Sequence, residues 1–81
     1  MTTLDTLATN ACTTVMALRL TPREAAWLRA VGLAEGARVT LLRRAPFKGP
    51  LHVRIDGGTE LAIDFGLARS IDVSPPAPEP A

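Results

Sequence analysis

The sequence predicts a small, mainly β domain: five short strands closed into a barrel, with a short helix inserted between the first two. Three observations carry this. Short stretches of alternating apolar and polar residues recur between Cys12 and Val73, separated by turns rich in Gly, Pro and Asp. One connection, Thr21 to Gly36, instead carries the start and stop signals of a helix. Strands this short leave exposed edges unless the sheet closes on itself. At 81 residues the chain is one domain near the lower size limit for a core without staples. It is rich in Ala, Leu, Val and Ile, and its only aromatics are Trp27, Phe47 and Phe65, so the core must be aliphatic.

In chain order, Leu4 and Leu7 are spaced to share one side of a short helix or turn. Cys12–Leu20 reads as the first strand. Alternation puts Cys12, Thr14, Met16 and Leu18 on one face and Thr13, Val15, Ala17 and Arg19 on the other, and leaves open which face is buried. The helix spans about 22–31. Thr21 caps it, Pro22 occupies the first turn, and Glu24 completes a capping box. Gly32 follows as the left-handed C′ residue, so Leu33 at C″ should touch Leu28 at C3 in a Schellman motif. Arg23 and Arg29 fall on the solvated side.

Arg38–Arg44 is the next strand, with Val39 and Leu41 pointing in and Thr40 and Leu42 out. Ala45–Pro50 holds two prolines and a glycine, which forbid a continuing ladder. Leu51–Ile55 and Thr59–Asp64 form a hairpin around Asp56-Gly57-Gly58. Only a three-residue loop pairs Val53 with Leu61 and Leu51 with Ile63 on one face, and it sets Arg54 opposite Glu60 and Gly58 at a left-handed bulge. Phe65–Ser70 is a turn or a single helical turn. Ile71–Val73 is a last strand that closes against the first, ending a single domain at 1–73. Ser74–Ala81, with four prolines, is predicted to be a disordered tail.

Net charge is +1, but its distribution is uneven. Residues 38–54 hold Arg38, Arg43, Arg44, Lys48 and Arg54 with no acid, whereas 55–81 hold five acids against Arg69 alone. Pairing between the two segments across strands is the expected arrangement, with a basic docking face as the alternative. A single cysteine excludes an internal disulfide and favours a reducing compartment. No apolar run approaches the ~20 residues of a membrane span. Asp5, with no cation before Arg19, is unlike a secretory signal, so a cytoplasmic location is expected.

Val31-Gly-Leu-Ala-Glu-Gly36, with Leu28 before it and Val39 and Leu41 after, resembles the helix-to-strand signature of the ferrous iron transport protein A (FeoA) family. Ala45-Pro46, Gly49-Pro50, Leu51-His-Val-Arg-Ile55, Leu61-Ala-Ile63, Ala68 and Ile71-Asp-Val73 continue the pattern over roughly residues 4–73. Asn10 stands where the family often has glycine, and Asn also tolerates positive φ. The resemblance implies an SH3-like barrel acting in the cytoplasm as an accessory of the membrane ferrous iron transporter FeoB. The same barrel occurs as a C-terminal domain of iron-dependent repressors, so the fold alone does not fix the task.

Function classes separate on the residues. His52, the sole histidine, points outward opposite Ala62. The resemblance supplies no nucleophile motif, no glycine-rich phosphate loop is present, and Asp64-Phe-Gly66 matches a kinase tripeptide by chance, so no enzyme is expected. Cys12 and His52 are single and far apart, without metal-ligand spacing, so neither metal nor cofactor is predicted. A nucleic-acid-binding barrel would use 38–54 for phosphate contacts, but no aromatic is interleaved there for stacking. A protein-docking module fits best: Trp27 on the helix and Phe47 on the loop, with Lys48, Arg43 and Arg44, form the expected partner surface, and the turn from Leu33 to Gly36 is a second candidate. Strand pairing at an exposed first or last strand would also allow self-association.

Overall fold

The computed structural model describes residues 2–56 and 58–75. Six strands form one antiparallel sheet: β1 (Thr2–Thr3), β2 (Cys12–Leu18), β3 (Arg38–Arg44), β4 (Leu51–Ile55), β5 (Glu60–Ile63) and β6 (Ile71–Val73). Helix α1 (Pro22–Ala30) joins β2 to β3, and the short α2 (Phe65–Ala68) joins β5 to β6. The order is β1-β6-β2-β3-β4-β5. The strand beyond the expected five is β1, which pairs Thr2 with Val73 and Thr3 with Asp72. Leu4–Thr6 then forms a 3₁₀ turn that buries Leu4, and Leu7 follows it into the core. As expected, β6 closes against β2, but the hydrogen-bonded ladder of the described residues ends at β1 and β5 without joining them.

Two bulges shape the sheet. In β2, Val15 pairs with Val73 and Ala17 with Asp72, leaving Met16 as the extra residue and 59% exposed. Thr13 and Val15 point inward before the bulge, and Leu18 packs against the core after it. Neither single face of the alternation is buried throughout, because the phase changes at Met16. In β3, Leu41 pairs with Val53 but Arg43 with His52, so Leu42 is the extra residue. Simple alternation from Leu41 would turn Arg43 inward. The bulge sets it on the outer face beside His52 and leaves Arg44 opposite Leu51 at the rim.

The β4–β5 hairpin keeps the register that parity required: Leu51 with Ile63, His52 with Ala62, Val53 with Leu61 and Arg54 with Glu60. Gly58, at φ 100°, follows the left-handed bulge geometry.

Helix α1 is bounded as its sequence specifies. The Thr21 hydroxyl accepts from the Glu24 N–H at 3.2 Å, and the Glu24 carboxylate accepts from the Thr21 N–H at 3.3 Å. At the other end Gly32 takes φ 103°, its N–H donates to the Arg29 carbonyl, and the Leu33 N–H donates to the Leu28 carbonyl at 2.9 Å. This is the Schellman pattern. Leu28 and Leu33 are both fully buried in the core cluster, which is wholly aliphatic and includes Leu4, Leu41, Leu51, Val53, Ile63 and Ile71. Each such side chain contributes about 1.5–3 kcal/mol of burial.

Ser74, expected to begin the tail, belongs to the fold. Its N–H donates to the Thr14 carbonyl at 2.9 Å, its hydroxyl accepts from the Thr14 N–H, and its carbonyl accepts from the Thr13 hydroxyl. Residues 76–81 of the expected tail lie outside the described residues.

Candidate protein-docking surface

The loop between β3 and β4 is closed by the Ala45 N–H donating to the Pro50 carbonyl at 3.0 Å. Inside it, the Gly49 N–H donates to the Pro46 carbonyl at 3.1 Å, so residues 46–49 make a tight turn. Its central residues, Phe47 and Lys48, have φ of 60° and 58°, a region that side chains seldom adopt. Gly49 answers a different demand, since a Cβ there would meet the Ala45 Cβ at 2.7 Å. The turn carries Phe47 out of the molecule with its ring 99% exposed. Beside it lies a cleft of about 430 Å³ lined by Phe47, Lys48, Leu51 and Phe65. A second cleft, of about 390 Å³, adjoins it along Arg43, Pro46, Pro50 and His52.

The basic residues divide by what holds them. Arg44 donates to the backbone carbonyls of Asp5 at 2.8 Å and of Leu7, so it ties the N-terminal 3₁₀ turn to the end of β3. Arg43 lies beside the His52 ring with 3.4 Å between Nη2 and Nδ1. Arg38 donates to the Cys12 thiol at 3.4 Å. Among the described residues the ion pairs are Arg19–Asp72 at 2.9 Å and Arg29–Glu35 at 2.7 Å, and the 38–54 segment takes part in neither. The expected pairing of basic middle with acidic end is therefore not realised. Arg54 does face Glu60 in register, yet the two form no ion pair.

The remaining candidates are scattered. Trp27 is 52% exposed on the outer side of α1, while Ala25 and Leu28 face inward. Gly32, at the end of that helix, lies against Ile55, the end of β4 remote from the 45–50 loop. Loop and helix are thus anchored at opposite ends of one strand. Leu33, placed by its sequence on a second partner surface, is fully buried. Its backbone must turn inward to complete the Schellman motif, so it offers a partner no side-chain area.

Cys12 sits at a smaller cleft of about 220 Å³ with Arg38, Thr40, Arg54 and Asp56. Hydrogen bonding from Thr40, then from Arg38, holds its thiol below the ordinary cysteine range. Its row across the sheet runs Cys12, Thr40, Arg54 and misses His52. Among the described residues no group of three or more His, Cys, Asp or Glu is placed to hold a metal ion. None of the described helices is long and apolar enough to cross a membrane.

A family model described as FeoA domain matches residues 2–75. The chain belongs to the FeoA family. Its fold is the SH3-like barrel that membership implies. Among solved structures, a FeoA protein from Chlorobium tepidum has 28% identity and a TM-score of 0.82, covering 89% of this chain and 68% of that one. The zinc-complexed FeoA of Stenotrophomonas maltophilia, described as an SH3-domain protein and put forward as a bacterial ferrous iron transport activating factor, has 26% identity and a TM-score of 0.76, with 91% of each chain covered. A manganese-dependent transcriptional repressor complexed with manganese reaches a TM-score of 0.82 at 23% identity, covering 90% of this chain but 35% of that one. At that identity the likeness shows the fold alone. No curated protein sequence matches the chain.

The 45–50 loop was legible as a loop, and Phe47 as its tip. The left-handed backbone of Phe47 and Lys48 was not, because the nearby Gly49 is the residue that chemistry would assign to such a conformation. The role of Arg44 was also hidden, since it depends on the bulge at Leu42.

Proposed function

We propose that this chain is a cytoplasmic accessory of the ferrous iron transporter FeoB, which it supports by protein–protein docking rather than by catalysis. The observation that carries the reading is Phe47: a large aromatic ring, wholly uncovered, at the tip of a loop beside a cleft. Buried aromatic anchors supply much of the affinity at protein interfaces, and a ring exposed in the free chain gains most on being covered. Lys48 beside it in the turn, and Arg43 at the adjoining cleft, would set orientation and association rate. Trp27 forms a second, separate contact on α1. Membership of the FeoA family, one of whose solved members is put forward as a ferrous iron transport activating factor, supports the choice of partner.

The test is binding of the purified chain to the cytoplasmic part of the transporter, with Phe47→Ala and Trp27→Ala singly and together. The expected outcome is a loss of about tenfold or more for Phe47→Ala, with the fold intact. Undiminished binding by the double variant would remove this surface from the account.

A second reading has its own observation. Among the described residues Arg38, Arg43 and Arg54 lie without acid partners along β3 and β4, where a polyanion could run. Binding to random DNA or RNA that falls steeply with added salt would favour it, whereas docking through aromatics persists.

A further inference from the structure

We infer that the 45–50 hairpin is a strained, pre-shaped anchor for an acidic segment of a partner protein, with an apolar side chain of that segment entering the cleft between Phe47 and Phe65. The inference rests on the docking reading above and adds the chemistry of what docks.

Positive φ at both central positions, with the Gly49 N–H donating to the Pro46 carbonyl, defines a type I′ turn. Asn-Gly is the pair such a turn favours, because both residues must be left-handed. Phe and Lys are strained there. Burial does not compensate Phe47, whose ring makes no cover for itself at 99% exposure. A residue unfavourable in backbone terms and uncovered in packing terms adds nothing to the stability of the free chain. Its benefit lies in a complex. The turn type also fixes the direction in which the Phe47 side chain leaves the backbone, so the ordering that remains at the moment of binding is that of its rotamer rather than of the loop.

Behind the ring, Leu51 and Phe65 line the cleft of about 430 Å³, within the range of side-chain and small-ligand pockets. Charge selects the occupant. Of the cations within 38–54, Arg43, Arg44 and Lys48 line the clefts at the loop, and none of the three is ion-paired among the described residues. Arg44 is partly used on the Asp5 and Leu7 carbonyls, which leaves Lys48 and Arg43 as the freer charges. The complementary segment therefore carries carboxylates around an apolar residue. An anionic lipid surface would match the charge and cover the ring, but a bilayer does not fill a recess behind the tip. A polypeptide does.

The experiment selects random dodecapeptides on phage against the full chain at about 0.15 M ionic strength. Enriched peptides are then measured on the wild type and on the double variant Phe47→Asn/Lys48→Gly. The expected peptides carry acidic residues around an apolar one and bind the double variant about tenfold more weakly. The same variant, relieved of strain, should melt about 4–8 °C above the wild type. The proposal is overturned by failure to enrich any peptide, by enrichment without acidic bias, or by equal binding to the double variant. A melting point at or below wild type overturns it too. So does Phe47-dependent association with vesicles of equal phosphatidylserine and phosphatidylcholine. If acidic peptides are selected while ferrous iron uptake is indifferent to this chain, the transporter reading fails and the chemistry of the site stands.

Discussion

Arg44 shows how one residue can look like an interface cation and serve the fold instead. Its guanidinium spans two carbonyls at the end of the N-terminal 3₁₀ turn, so its hydrogen-bonding capacity is largely used within the chain. Arg44→Ala should lower stability by about 1–2 kcal/mol, the usual worth of charge-assisted bonds near a surface, as measured by denaturant unfolding. Lys48→Ala, which removes no described bond, should leave stability unchanged in the same assay. Glu35 gives a prediction in pH. Hydrogen bonding from Arg29 lowers its carboxyl to about 2. A carboxylate depressed in the folded state stabilises above its unfolded pKa of about 4.3, and that contribution fades as pH falls toward the folded value. The stability difference between wild type and Glu35→Gln should therefore be largest near neutral pH and vanish near pH 2. Both side chains are half exposed, so the difference is small and is screened by salt.

At the scale of elements, the sequence was most informative where local chemistry and packing agree. Thr21, Glu24, Gly32 and Leu33 set both ends of α1, because capping and Schellman closure are decided within a few residues. Parity alone set the β4–β5 register, because a slip of one residue would turn Val53 and Ile63 outward. What could not be read were the bulges at Met16 and Leu42, which arise from fitting each strand to two neighbours at once. Those bulges decide the placement of Arg43 and Arg44, so the make-up of the basic surface was hidden with them. The β2–β6 seam supplies a test. Asp72 is 9% exposed and accepts from Arg19 Nε at 2.9 and 3.0 Å. Arg19→Ala leaves that carboxylate almost buried without its partner, and should cost about 1–3 kcal/mol. Arg19→Ala combined with Asp72→Asn should recover part of the loss, which a double-mutant cycle would register.

For the whole molecule, the aliphatic core and the exposed aromatics are two halves of one arrangement. Leu33 and Leu28 fill the interior that a short chain can barely supply, while Trp27 and Phe47 stay outside it. Leu33→Ala should accordingly destabilise by about 2–5 kcal/mol and weaken docking only through loss of fold. Phe47→Ala should do the reverse, with stability kept and docking lost. The most direct measurement of the central claim is ferrous iron uptake in cells that retain the transporter but lack this chain. Uptake should be restored by the wild-type chain and left unrestored by an equally abundant Phe47→Ala chain. Full restoration by Phe47→Ala, or uptake that never depended on the chain, would contradict it.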